Sequence, residues 1–133
     1  MIEPGLQQEI NLVMTEARNS RLEFVTVEHL LLALLNIDEV VVFLRGKRVN
    51  VDELRAELEQ YIVSHTPLIS EDAEIDIVPT VGFQRVLQRS VYQAQSAQRN
   101  SVNAMNVFVS IFSEKESHAV YMLKLNNLSR LDV

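Results

Sequence analysis

A chain of 133 residues suits one domain, and 47% apolar with 23% charged residues is the composition of a folded globular protein rather than a disordered one. There is no cysteine, which excludes disulfides and thiolate metal sites. A formal charge of −6 argues against a nucleic-acid backbone or an anionic membrane surface as partner, since both demand a basic face.

The first residues, Met-Ile-Glu-Pro-Gly, lack the basic start and apolar core of a secretory leader, so the expected location is the cytoplasm. Leu6, Ile10, Val13, Met14 and Ala17 then recur at helical spacing and predict an amphipathic first helix. Asn19-Ser20-Arg21 breaks that pattern. Thr26 is placed to cap a second helix with Glu28 in its first turn. Val27, Leu30, Leu31, Leu32, Ala33, Leu34 and Leu35 make this helix apolar almost all round, which predicts a central, buried position.

Residues 40–44 (VVVFL) read locally as a strand. A lone strand has no partner, so the reading is a third helix ending near Gly46. Both this run and the apolar run at 30–35 are far shorter than the roughly 20 residues a membrane helix requires. Asn50-Val-Asp-Glu53 is a capping-box-like start for a fourth helix bearing Leu54, Leu58, Tyr61 and Ile62. Residues 65–79 hold two prolines, the acids Glu71, Asp72, Glu74 and Asp76, and no period, and they read as a linker. The helical pattern resumes with Phe83, Val86, Leu87, Val91 and Ala94, breaks at Gln98-Arg99-Asn100, and restarts after a candidate cap at Asn103. Val107, Phe108, Ile111 and Phe112 follow, then Val120, Tyr121, Leu123 and Leu125, and a last capping-box-like start at Ser129-Arg-Leu-Asp132.

The two halves repeat each other. At a shift of 77 residues Leu6 meets Phe83, Ile10 meets Leu87, Ala17 meets Ala94, Thr26 meets Asn103 and Leu34 meets Ile111. Toward the end the shift becomes 79, where Leu44 meets Leu123 and Asn50 meets Ser129, as a two-residue loop insertion would produce. The expectation is an all-α fold of two pseudo-symmetric four-helix repeats. Repeat one spans about 1–64, the linker about 65–79, and repeat two about 80–133, with its last helix truncated.

No catalytic constellation emerges. Gly46-Lys47 is no phosphate loop, because that motif needs glycine where Val41 stands and Ser or Thr where Arg48 stands. His29, His65 and His118 lack paired metal spacing, and each reads as a chance surface or edge histidine. Glu57/Glu59 and Asp72/Glu74 read as solvated surface, and no nucleophile has a base beside it. No catalytic, cofactor or metal site is therefore expected, and the chain reads as a protein-binding module, not an enzyme. Two places are less plain. Glu23 and Glu28 flank the turn into the second helix, where Glu28 has an ordinary role in stabilising the helix N-terminus. Residues 80–85 open the second repeat, and Arg85 with Arg89 makes an i, i+4 basic edge whose ordinary reading is a solvated helix face.

Thr26-Val-Glu-His-Leu-Leu-Leu-Ala-Leu-Leu35 resembles the hallmark of the N-terminal domain of Clp/Hsp100 AAA+ ATPases. Pro79-Thr-Val-Gly-Phe-Gln-Arg-Val-Leu-Gln-Arg89, Ile111-Phe-Ser-Glu-Lys-Glu-Ser117 and Ser129-Arg-Leu-Asp-Val133 resemble its ClpA branch. The likeness runs over nearly the whole chain. It implies a mobile module of an ATP-driven unfoldase that engages a ClpS-like adaptor and protein substrates, with ClpA-type ATPase modules and the ClpP peptidase reached through the full-length chain. It further implies that Glu23, Glu28, Thr80 and Arg85 match the family's adaptor-binding surface. The segment 36–42 departs from the ClpA pattern and is more apolar, and no ATPase module is present. The chain stops at Val133 just as an eighth helix begins. It therefore reads as an excised domain of a longer protein or as a stand-alone accessory subunit without its own ATPase.

Overall fold

The computed structural model of the chain describes residues 2–70 and 77–133. Seven α-helices appear among them: α1 Pro4–Asn19, α2 Val27–Leu34, α3 Asp38–Gly46, α4 Val51–His65, α5 Val81–Ser96, α6 Ala104–Ile111 and α7 His118–Leu125. The fold is all-α. The 40–44 run is helical within α3, where Val40 and Leu44 bury one face and Val42 stays exposed. The expected eighth helix is a single 3-10 turn, Arg130–Asp132, opened by the Ser129 amide donating to Asp132 Oδ2 at 2.8 Å. The linker acids Glu71, Asp72, Glu74 and Asp76 lie outside the described residues.

The helix starts follow from their caps. Thr26, Asn50, Thr80, Asn103 and Ser117 each accept a backbone N–H from three residues on, which satisfies one orphan donor of the first turn. At α6 the box closes reciprocally: Asn106 N–H donates to Asn103 Oδ1 at 2.9 Å and Asn103 N–H to Asn106 Oδ1 at 3.0 Å.

Helix ends repeat as closely as the beginnings. Among the described residues, Arg21, Arg48, Gln98 and Asn127 are the non-glycine residues with positive φ, at 58°, 63°, 58° and 62°. Arg21 and Gln98 are 77 residues apart, and Arg48 and Asn127 are 79 apart, the same two offsets that align the apolar stripes. Each sits in a helix-terminating turn in which the next residue donates back across it: Leu22 N–H to the Ala17 carbonyl, Arg99 to Ala94, Val49 to Leu44, Leu128 to Leu123.

One apolar core joins both repeats. At its centre is α2, with seven of its eight residues buried and only Leu32 partly exposed. It packs on α1 and α4 of its own repeat and on α5, α6 and α7 of the other. While α2 packs on α7, its counterpart α6 packs on α3, the reciprocal arrangement of a pseudo-two-fold. The repeats are also stitched by backbone. Two-residue strands β1 (Phe24–Val25) and β2 (Val78–Pro79) pair in parallel, and Leu22 bridges to Leu68. The flanks of the linker thus lie against the turn before α2.

Candidate functional site

The turn before α2, the start of α5 and the loop between α6 and α7 converge. Glu23 is half-buried, and its backbone is engaged on both sides: its N–H donates to the Pro67 carbonyl at 2.8 Å and its carbonyl accepts from Val78 N–H at 3.1 Å. Thr80 N–H donates to the Val25 carbonyl at 2.9 Å, while its hydroxyl accepts from Phe83 N–H at 3.3 Å as the cap of α5. Just inside α5 stands Gly82, where an added Cβ would lie 3.1 Å from Val27 Cγ2 and 3.3 Å from Glu114 Oε1. Glycine is needed here for close approach of α5 to α2, not for an unusual φ. The exposed valines Val78 and Val81 flank Thr80 and give the patch an apolar component.

Arg85 does not stand free on a solvated face. Its Nη2 lies 2.6 Å from Glu114 Oε1 and its Nε donates to Glu114 Oε2 at 3.1 Å, a bidentate pair. Arg89 adds a longer contact to Glu114 Oε2 at 3.4 Å and donates to the Ser110 carbonyl at 3.2 Å. The arginine side chain is 54% exposed, whereas that of Glu114 is only 8% exposed. Hydrogen bonding from Arg85 is the main cause that holds the Glu114 carboxyl below its ordinary range. One face of the guanidinium stays open to a partner while the other is fixed.

Glu28 occupies the interior, only 7% exposed. Its Oε2 accepts the N–H of Ala119 at 3.0 Å, so a carboxylate in the first turn of α2 also caps the first turn of α7 across the repeats. Beside it, Tyr61 stacks on His65 at 4.2 Å and on His118 at 3.8 Å, joining α4 to α7. Burial first, and the Glu28 charge second, push the Tyr61 phenol above its ordinary pKa.

The reading of all three histidines as surface or edge residues holds for the exposed His65 and the half-buried His118 and is corrected at His29. His29 is buried at 3% exposure, and its Nδ1 accepts from Thr26 N–H at 3.0 Å to complete the α2 capping box. Burial lowers its pKa to about 4. His65 and His118 belong to the Tyr61 stack. Of the four residues expected at an adaptor surface, the fold brings Glu23, Thr80 and Arg85 to connected exposed or half-buried positions, and it turns Glu28 inward. Glu114 went unread: it lies within the 111–117 motif, but no local period links it to Arg85, 29 residues away. Among the described residues no group of three His, Asp or Glu is placed to hold a metal ion, and no helix is long and apolar enough to cross a membrane.

Comparison with known proteins supplies the context. A family model described as the Clp repeat (R) N-terminal domain matches residues 1–126. A ClpA homolog protein of Fuscovulum blasticum is 35% identical over 128 residues, covering 96% of this chain and 16% of that protein's length. The Hsp104 N-terminal domain from Candida albicans superposes with a TM-score of 0.82 at 13% identity, over 98% of this chain and 85% of that one. A structure from work on the coevolution of the ATPase ClpV, the TssB-TssC sheath and the accessory HsiE protein in type VI secretion matches with a TM-score of 0.73 at 11% identity, over 99% and 80% of the two chains. At those identities the structural likeness concerns the fold.

Proposed function

Because this chain belongs to the Clp repeat N-terminal domain family, with ClpA-like sequence, we propose that it is the docking module of a ClpA-like AAA+ unfoldase. In this reading it engages a ClpS-type adaptor and protein substrates in the cytoplasm, for ATP-dependent unfolding and proteolysis by ClpP. Repeat one (about 1–64) and repeat two (about 80–133) share one core, and the described flanks of the linker between them, Pro67–Ile69 and Val78–Pro79, form part of the docking surface. The observation that carries the reading is the backbone pairing of the turn before α2 with the linker flanks, which ties Glu23 to Thr80 beside Val78, Val81 and Arg85. An acid, a base and a small apolar centre favour orientation and specificity over raw affinity. Glu28 contributes as a positioning residue, by holding α7 against α2.

The test is calorimetric titration of a ClpS-type adaptor into wild type, Glu23→Lys and Arg85→Gln. Glutamine is the right replacement at Arg85, since a carboxylate there would face the buried Glu114 and disturb the fold. Each variant should keep its helical circular dichroism and lose about 1–3 kcal/mol of binding free energy. Wild-type affinity in both folded variants would overturn this surface.

A further inference from the structure

The Arg85–Glu114 pair consumes only one edge of the guanidinium. Nε and one N–H of Nη2 go to the two carboxylate oxygens of Glu114, at 3.1 Å and 2.6 Å, a side-on pairing. A guanidinium carries five N–H donors, so both on Nη1 and the second on Nη2 remain. Among the described residues no hydrogen bond uses them, and the arginine side chain is half exposed. They make a second edge, as able as the first to take a carboxylate through two parallel bonds.

Glu114 is held more firmly than a surface ion pair requires. Its N–H donates to the Ile111 carbonyl at 2.9 Å and its carbonyl accepts from Ser117 N–H at 2.9 Å, which pins the loop between α6 and α7. Arg89, anchored on the Ser110 carbonyl at 3.2 Å, reaches Glu114 Oε2 at 3.4 Å from the next turn of α5. Gly82 leaves the room that Oε1 occupies, since a Cβ there would stand 3.3 Å from it. Two cations facing one anion leave a positive charge uncompensated. Such a buried pair is weak ground for stability, but a guanidinium fixed in advance costs less ordering when a ligand arrives.

We propose that Glu114 is a positioning residue for partner recognition: it grips the Nε–Nη2 edge of Arg85 and so presents the Nη1–Nη2 edge to a carboxylate of the docked protein. This rests on the docking surface proposed above and names the chemistry that its base reads. The uncompensated positive charge selects a carboxylate over a neutral carbonyl, and a pair of parallel N–H donors selects it over a single-atom acceptor. With its side chain 8% exposed, Glu114 acts through Arg85 and not by contact with the partner.

The experiment titrates a ClpS-type adaptor into the isotope-labelled 133-residue chain, by calorimetry and by NMR of the arginine side-chain N–H groups. In wild type the adaptor should leave the Arg85 Nε–H resonance in place and slow the exchange of its Nη protons. An Nε–H signal that moves to the position of a free arginine means that the guanidinium leaves Glu114 on binding, and overturns the proposal. Glu114→Gln keeps one acceptor oxygen but turns a donor toward Arg85 where the second oxygen stood, so the grip is lost. It should lower adaptor affinity about tenfold in the wild-type background and less than about twofold beside Arg85→Gln, because the effect passes through Arg85. A loss equal in both backgrounds marks a merely structural role, and it overturns the proposal as surely as no loss at all. Arg85→Lys keeps the charge but has no second edge, and it too should lose about tenfold. Wild-type affinity in that variant would refute the two-edged reading. If Arg85→Gln binds like wild type, the docking surface fails and this inference with it. If Arg85→Gln is weakened and Glu114→Gln is not, the positioning role alone fails.

Discussion

Replacing Glu28 with alanine should destabilise the domain far more than loss of an ordinary first-turn carboxylate. On a solvated helix start such a group is worth about 0.3–1 kcal/mol. Here the carboxylate is buried and accepts the N–H of Ala119, itself 0% exposed, in the first turn of α7. Alanine leaves that donor buried and unpaired, at about 1–3 kcal/mol, and removes a negative charge from the N-terminal ends of both α2 and α7, at about 1 kcal/mol more. The expected loss is about 3 kcal/mol, or roughly 10 °C in melting temperature for a domain of this size. Glu28→Gln keeps an acceptor and gives up only the charge, so it should lose about 1 kcal/mol. Glu28→Lys places a cation at two helix N-termini in the interior and should cost at least as much as alanine. Urea unfolding followed by circular dichroism gives the ranking, compared through midpoints at constant slope. An alanine variant within about 0.5 kcal/mol of wild type, or a glutamine variant as unstable as alanine, would refute the inter-repeat cap. The same geometry makes charge reversal at Glu28 a poor probe of adaptor contact, since lost binding would follow from a disturbed α7.

His29 predicts an acid-side loss of stability. Its folded pKa of about 4 lies below the ordinary 6.5, so the unfolded chain takes up a proton first as pH falls. Its contribution is complete above pH 6.5, shrinks between 6.5 and about 4, and amounts to about 3 kcal/mol across that window. His29→Gln retains a capping-box acceptor without a titrating ring, and its stability measured by urea unfolding should be flatter over the same range. Arg48 holds φ at 63° without glycine, so Arg48→Gly should stabilise by roughly 0.5–1 kcal/mol in the same assay, whereas Arg48→Val should destabilise.

What was legible in the chain was local. The caps at Thr26, Asn50 and Asn103 act over three residues, and the apolar stripe that buries α2 repeats within one helix, so both show in the order of side chains. The repeat offset was legible too, and the left-handed residues Arg21, Arg48, Gln98 and Asn127 keep it in the backbone. The 40–44 run is helix despite its β-branched residues, and among the described residues no strand stands beside it to pair with. The features that went unread join distant residues. Glu28 meets Ala119 across 91 residues, Arg85 meets Glu114 across 29, and a strand of two residues is too short to show alternation. His29 looked ordinary because a histidine at the third position of a helix announces neither burial nor a turn back to the cap.

The chain on either side of residues 71–76 is fastened to the same few residues, 21–25: Leu68 and Ile69 on one side, Val78 and Thr80 on the other. With α2 enclosed by both repeats, the halves are held by packing and not by their covalent connection. The covalent connection between Ser70 and Ile77 then acts chiefly by setting the effective concentration of one half at the other. A flexible insert in that connection should be inexpensive, because each doubling of a flexible loop costs only about 0.6 kcal/mol of closure entropy. A foreign segment placed there, or a nick, would change how readily the halves find each other while leaving unaltered the surface they build once together.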